Sequence, residues 1–206
     1  MAIINSISIG ENTLLLVWDI TESVEILSNL TKNIQDKGTL TPKNNLHWLA
    51  SRAILASHFG KDAIIVISKN KFNKPSMTVN GEDYNLSITH SGQYAAILFS
   101  KFRMVALDIE KLDSRIDRVT HKFINNAETE MLESSKNSTH DKTLIWSAKE
   151  TLYKFYGEKE LDFKQHMTIF INNPMQLRGC LHKHTPHFYE LHATLFNNYV
   201  LTYLVE

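Results

Sequence analysis

Apolar residues in this chain switch repeatedly between two spacings, and the order of the switches restricts the fold more than any other feature. Strand side chains alternate with period two, whereas helix faces repeat every three to four residues. Alternation predicts strands at about 84–90 and 93–99, turned at Ser91-Gly92, and a further strand at Met104–Glu110. Leu46, Leu49, Ala50, Ala53 and Ile54 predict a helix over 42–59, with Thr41 as N-cap, Pro42 in the first turn and an end at Gly60. An apolar run at Ala63–Ser68 and a polar loop at Lys69–Pro75 follow that helix. Further on, Leu112, Ile116, Val119 and Phe123 predict another helical stretch, and residues 142–156 a longer helix. Strand-like segments near 166–171, 187–196 and 198–205 close the chain, the first two separated by an Asn-Asn-Pro turn. Because the order lacks regular βαβ alternation, the expected class is α+β with largely antiparallel sheets. The pattern divides into two similar halves, expected at 1–102 and 103–206, with the boundary between two strands.

Composition excludes several classes. With 22 basic and 22 acidic side chains the chain is neutral, which argues against a general nucleic-acid binder. A hydrophobic share of 43% excludes a disordered chain. The densest apolar run, Leu14–Trp18, is far shorter than the ~20 residues of a membrane span. The first residues carry no basic region or cleavage pattern, and Cys180 is the single cysteine, so a reducing cytoplasmic setting is expected. Charge is nevertheless unevenly placed. Between 43 and 74, Lys43, Arg52, Lys61, Lys69, Lys71 and Lys74 stand against Asp62 alone. Such a segment faces either an anion or solvent.

Two stretches carry chemistry. In VALDIE, alternation sends Val105, Leu107 and Ile109 to a core and Ala106, Asp108 and Glu110 to the opposite face, with the two carboxylates about 6–7 Å apart. Hard divalent cations such as Mg²⁺ take oxygen ligands of this kind, although a solvated strand face presents the same pair. In WSAKETLYK, helical spacing makes a core stripe of Ile145, Ala148, Leu152 and Phe155. Trp146, Lys149, Glu150, Tyr153 and Lys154 gather on another face, where Glu150 offers a third carboxylate and Lys154 a point charge for phosphate. A surface Glu150–Lys154 pair at i,i+4 is the plain alternative, and Trp146 reads as a core anchor.

Taken in order, these elements resemble the 4′-phosphopantetheinyl transferases, in particular the larger monomeric type built as two pseudo-symmetric halves. The resemblance covers about residues 42–160 and rests on Arg52 in LASRAIL, Lys74 in NKP, His90 in THSG, Asp108 and Glu110 in VALDIE, and WSAKETLYK. Asn73, Thr89 and Ala106 stand where the family pattern has glycine, serine and glycine, and Ala106, on the carboxylate face, is expected to narrow the approach of the pantetheine arm. The resemblance implies transfer of 4′-phosphopantetheine from coenzyme A (CoA) to a serine of an apo carrier protein, releasing adenosine 3′,5′-bisphosphate. It further implies a ligand site between the halves, with Asp108, Glu110 and Glu150 holding Mg²⁺ against the CoA pyrophosphate and Lys154 gripping that group. Glu150 would take the serine proton, directly or through water. Arg52, Lys74 and His90 would bind the nucleotide phosphates, His90 the 3′-phosphate, and Arg52 is expected to lie off its helix's apolar stripe and be free to do so.

Arg115, Arg118 and Lys122 form an expected basic edge at i, i+3 and i+7, suited to an acidic carrier, and equally what a solvated amphipathic helix shows. A rival reading keeps the fold without catalysis, as a carrier- or CoA-binding paralogue. Another places a transition metal among Cys180, His182, His184, His187 and His192.

Overall fold

The computed structural model describes residues 3–37, 45–183 and 185–206, and it is α+β with two sheets. The chain divides into two compact units, residues 1–105 with Glu206, and residues 106–205.

In the first unit, β1 (Ile3–Ser8), β2 (Thr13–Asp19), α1 (Val24–Leu30) and β3 (Ile34–Asp36) precede α2 (Leu46–Phe59). After it come β4 (Ile65–Lys69), β5 (Pro75–Val79), β6 (Glu82–Ser91) and β7 (Tyr94–Ser100). These seven strands form one sheet in the order β1-β2-β7-β6-β5-β4-β3, in which only the β3–β4 pair is parallel. Every residue of β7 is buried, as a near-continuous apolar run requires when a strand is covered on both faces. Leu49, Ala50, Ala53 and Ile54 of α2 pack with Ile65, Ile67, Met77, Leu86, Ile97 and Phe99 of the sheet.

Helix α2 starts later than its spacing suggests. Asn45 is extended and its side chain accepts from Trp48 N at 3.1 Å, so the N-cap is made there. Thr41 and Pro42 lie outside the described residues. The turn also shifts by one residue: Ser91 completes β6, and the reversal falls on Gly92, at φ 54°, and Gln93. Short strands β1, β3 and β5 and helix α1 escaped the periodicity because each is too brief or too exposed to show one.

The second sheet runs through β8 (Val105–Lys111), and its last four members are β9 (Met167–Asn173), β10 (Gln176–Leu181), β11 (His187–Phe196) and β12 (Tyr199–Val205). It is antiparallel, ordered β8-β12-β11-β10-β9. β10, missed in the sequence, pairs with both β9 and β11. Between β8 and β9 lie a 3-10 helix (Ser114–Arg118), α3 (Thr120–Phe123), α4 (Asn126–Glu133) and α5 (Ser138–Tyr156).

The continuous helix expected over 112–123 is therefore broken. Asp113 accepts from Arg115 N at 2.8 Å and starts a tight 3-10 turn, and Val119, at φ −113° and ψ −2°, separates that turn from α3. A 3-10 turn has three residues per turn and α3 restarts the count, so Arg115, Arg118 and Lys122 do not share one helical edge. Arg115 is engaged by Asp113 at 2.7 Å. All three remain exposed.

Helix α5 is capped by Asn137, whose side chain accepts from His140 N, and it ends at Gly157 in the left-handed region. Its stripe of Ile145, Ala148, Leu152 and Phe155 is buried against the second sheet, as the spacing predicts. Leu152 of the helix sits over Gly179 of β10, where an added Cβ would stand 2.6 Å from Leu152 Cδ1, so a larger residue there would force Leu152 and Leu191 to shift.

Candidate active site

Helix α5 packs chiefly on β12 and reaches the neighbouring strand β8 through long side chains, so the alternation of β8 decides what they meet. Ala106 is fully buried in the core beneath α5, and Asp108 is only 4% exposed. Side chains of the helix thus reach the face carrying Ala106, Asp108 and Glu110, and Ala106 is a packing residue here, where the sequence suggested that it narrows the approach of the pantetheine arm.

Residues 146, 150 and 154 of α5 are four apart and form one stripe. At one end Trp146 Nε1 donates to Glu110 Oε1 at 2.9 Å. At the other, Lys154 Nζ donates to Asp108 Oδ1 at 2.7 Å and to Leu107 O at 3.2 Å. Glu150 sits midway along this stripe, half-buried. Its carboxyl is pushed up to about 7, first by burial and then by the Asp108 charge, with Lys154 opposing and Glu110 adding to the rise. Lys154 consequently serves Asp108 across the strand, where a surface pair with Glu150 was the plain sequence alternative. Trp146 packs edge-on to Phe123 and also orients a carboxylate, a role that the anchor reading did not include.

Lys149 departs further from expectation. The helical spacing put it off the core stripe, yet it is 0% exposed. Its ammonium gives its three protons to Glu128 Oε2 at 2.7 Å, Phe123 O at 2.6 Å and Phe163 O at 2.8 Å. Burial pulls the Lys149 pKa below its ordinary value and Glu128 works against that shift. Glu128 in turn accepts from Asn125 N and Ile169 N, and completes a capping box on α4 with Asn125. A signal was present in the sequence: Asn125 and Glu128 have capping-box spacing ahead of α4.

In the first unit, Lys74 is half-buried at the entrance to β5, and burial lowers its pKa. Asn70 turns this loop, accepting from Phe72 N and Lys74 N. Asn73 has φ 70°, a left-handed conformation that asparagine tolerates, which accounts for its standing at a position where the family pattern has glycine. Arg52 is not free as its helix position suggested. It is 4% exposed, binds Asp36 Oδ2 through Nε at 3.2 Å and Nη2 at 2.6 Å, and lies over the Trp48 ring. Exposed His90 stacks on His47.

No group of three or more His, Cys, Asp or Glu side chains is drawn together to hold a metal among the described residues. In the histidine-rich region, Cys180 Sγ is 3.7 Å from His182 Nδ1, while His192 stacks on Tyr203 and His187 lies against Tyr189. His184 lies outside the described residues. Around Glu150 the donor chemistry still suits a hard divalent cation. Asp108, Glu110 and Glu150 offer oxygen donors with Lys154 as counter-charge, and burial, then the Asp108 charge, raises the Glu150 pKa.

A family model described as the 4′-phosphopantetheinyl transferase superfamily matches residues 104–204, which takes in β8, α5 and the second sheet. Over this span the chain belongs to that superfamily, whose general activity is phosphopantetheinyl transfer. No curated protein matches the sequence. No helix of the described residues is long and apolar enough to cross a membrane.

Two measurements test this architecture. Replacing Lys149 by alanine leaves Glu128 as an uncompensated buried charge, and the expected loss is about 3–5 kcal/mol in denaturant unfolding. A joint Lys149→Met, Glu128→Gln replacement loses less than the sum of the single changes. The second concerns pH. Folded protein keeps the Glu150 proton to about pH 7, whereas the unfolded chain releases it near 4.5, so the native state binds more protons throughout that window. This group's contribution is therefore full below about 4.5, is lost as pH rises to about 7, and is level above. In metal-free protein Glu150→Gln removes that component, seen as a smaller fall in the unfolding midpoint between pH 5 and 8.

Proposed function

We propose that the chain transfers 4′-phosphopantetheine from CoA to a serine hydroxyl of an apo acyl or peptidyl carrier protein, as a Mg²⁺-dependent, monomeric enzyme of the larger type. One observation carries the reading: on the α5 stripe Glu150 lies between the Trp146–Glu110 contact and the Lys154–Asp108 contact, within a matched superfamily span.

In this reading the serine oxygen bonds to the phosphorus that carries the pantetheine arm. The bond from that phosphorus to the adenosine side breaks, and adenosine 3′,5′-bisphosphate leaves with its electron pair. Glu150 takes the serine proton, directly or through one water. Lys154, already lying against Asp108, steadies the pyrophosphate as a point charge. Asp108, Glu110 and Glu150 would hold Mg²⁺, which when bound neutralises charge on the pyrophosphate and its leaving oxygen. Within the first unit, Lys74 and His90 bind nucleotide phosphates. Arg52 joins them once Asp36 releases it.

Carrier docking follows from charge. Arg115, Arg118 and Lys122 are exposed, though on successive short turns in place of one helix, and they suit an acidic partner.

The deciding experiment incubates purified protein with CoA, Mg²⁺ and apo carrier, and reads the carrier's intact mass. A phosphopantetheine gain that disappears with Glu150→Gln is expected, while no gain on any of several carriers defeats the proposal and favours a binding-only paralogue. With an active carrier, reversing Arg115 and Arg118 to glutamate should raise the carrier KM and leave the CoA KM unchanged.

A further inference from the structure

We propose that a cleft in the second unit, sharing no residue with the active-site stripe of α5, binds a small polyol or sugar through the phosphate group it carries. The proposal stands independently of the reaction proposed above.

The cleft measures about 490 Å³, within the range of small-molecule sites. Asn125 and Asn126 at the start of α4, Lys164 and Gln165 in the turn before β9, Thr168 of β9 and His182 just after β10 line it. These supply one cation, one imidazole, one hydroxyl and three side-chain amides, and no aspartate or glutamate is among the lining residues. Asp162, close by in sequence, is occupied by the turn itself, where its Oδ1 accepts from Lys164 N at 2.9 Å and from Gln165 N at 2.8 Å. Glu128 is fully buried and paired with Lys149. A lining with donors and no carboxylate favours an anion.

Thr168 is buried, and its hydroxyl joins two walls of the cleft. Asn125 Nδ2 gives its two hydrogens to Met167 O at 3.0 Å and to Thr168 Oγ1 at 2.9 Å, so Thr168 is an acceptor toward α4. Its other contact is His182 Nε2 at 3.0 Å, and His182 Nδ1 lies 3.7 Å from Cys180 Sγ. A neutral imidazole carries its hydrogen on either nitrogen. With Thr168 donating to Nε2, its one O–H is used within the protein. With Nε2–H donating, Thr168 accepts twice and its own O–H is released to a ligand. An oxyanion in the cleft selects this second arrangement, because it accepts that hydrogen. Lys164 Nζ makes one long bond, to His121 O at 3.3 Å, and has two further hydrogens to give. The cleft exceeds the volume of a bare phosphate, and the amides of Asn126 and Gln165 suit the hydroxyls of the group that bears it.

An amide chemical-shift titration of the nitrogen-labelled full chain, with inorganic phosphate and with glycerol phosphate, tests this. Saturable shifts are expected at Asn125, Asn126, Gln165 and His182, with glycerol phosphate the tighter ligand. Lys164→Ala, at an exposed side chain, should weaken binding about 10-fold, the effect of one hydrogen bond to a charged group. Thr168→Val should weaken it as well, whereas Thr168→Ser keeps the hydroxyl and should retain the affinity. If the valine variant does not fold, Lys164→Ala and Thr168→Ser still read the site. Shifts that do not saturate, or an affinity unmoved by Lys164→Ala, overturn the proposal. Inorganic phosphate binding as tightly as glycerol phosphate overturns its organic part. Lys154→Ala lies outside the cleft and should leave these shifts unchanged; shifts that vanish with it belong to the active site and overturn the cleft.

Discussion

Lys149 carries a charge at a point where no water reaches it, and the rest of the second unit is arranged so that this charge is fully answered. Three acceptors from three different segments converge on its ammonium: the end of α3, the N3 position of α4 and the loop before β9. Glu128 answers the charge and, through Ile169 N, also touches the sheet. Replacing such a pair by apolar residues is often neutral or stabilising, whereas removing one partner is severe. Its significance lies in specificity. Many packings would satisfy the apolar stripe of α5, but few would also bring three acceptors to one ammonium.

Position 149 fixed on the inward side places 150 on the next face, toward the side chains of β8. There the strand and helix are joined twice, by Trp146 to Glu110 and by Lys154 to Asp108. Glu150 lies between two joined neighbours and is itself held to a raised pKa. Neighbouring residues thus divide the labour: one charge is neutralised inside the protein, and the next is crowded by like charges at its edge.

Much of this was legible in the sequence and some was not, for definite reasons. The strand VALDIE and the helix WSAKETLYK carry strong periods, so their types and the buried stripe of α5 could be read directly. Periodicity assigned Lys149 to the polar face because it weighs residue type and knows nothing of a partner twenty-one positions earlier. Arg52 failed for the same reason, since Asp36 comes from a three-residue strand too short to leave a pattern. Leu112, Ile116, Val119 and Phe123 suit an α-helix by spacing, yet Asp113 offers the backbone a tighter turn. Such local competition from a side chain is invisible to a count of apolar positions.

The three-way seating of Lys149 has a mechanical meaning as well. A helix held only by an apolar stripe can roll slightly as its leucines and isoleucines change rotamer. Here a roll of α5 would pull the ammonium from at least one acceptor. Rotation is resisted, so the reach of Glu150 is set by the torsions of its own side chain. The backbone behaves as a fixed bench, and any adjustment of distance to an incoming hydroxyl falls to that one flexible glutamate and to whatever approaches it.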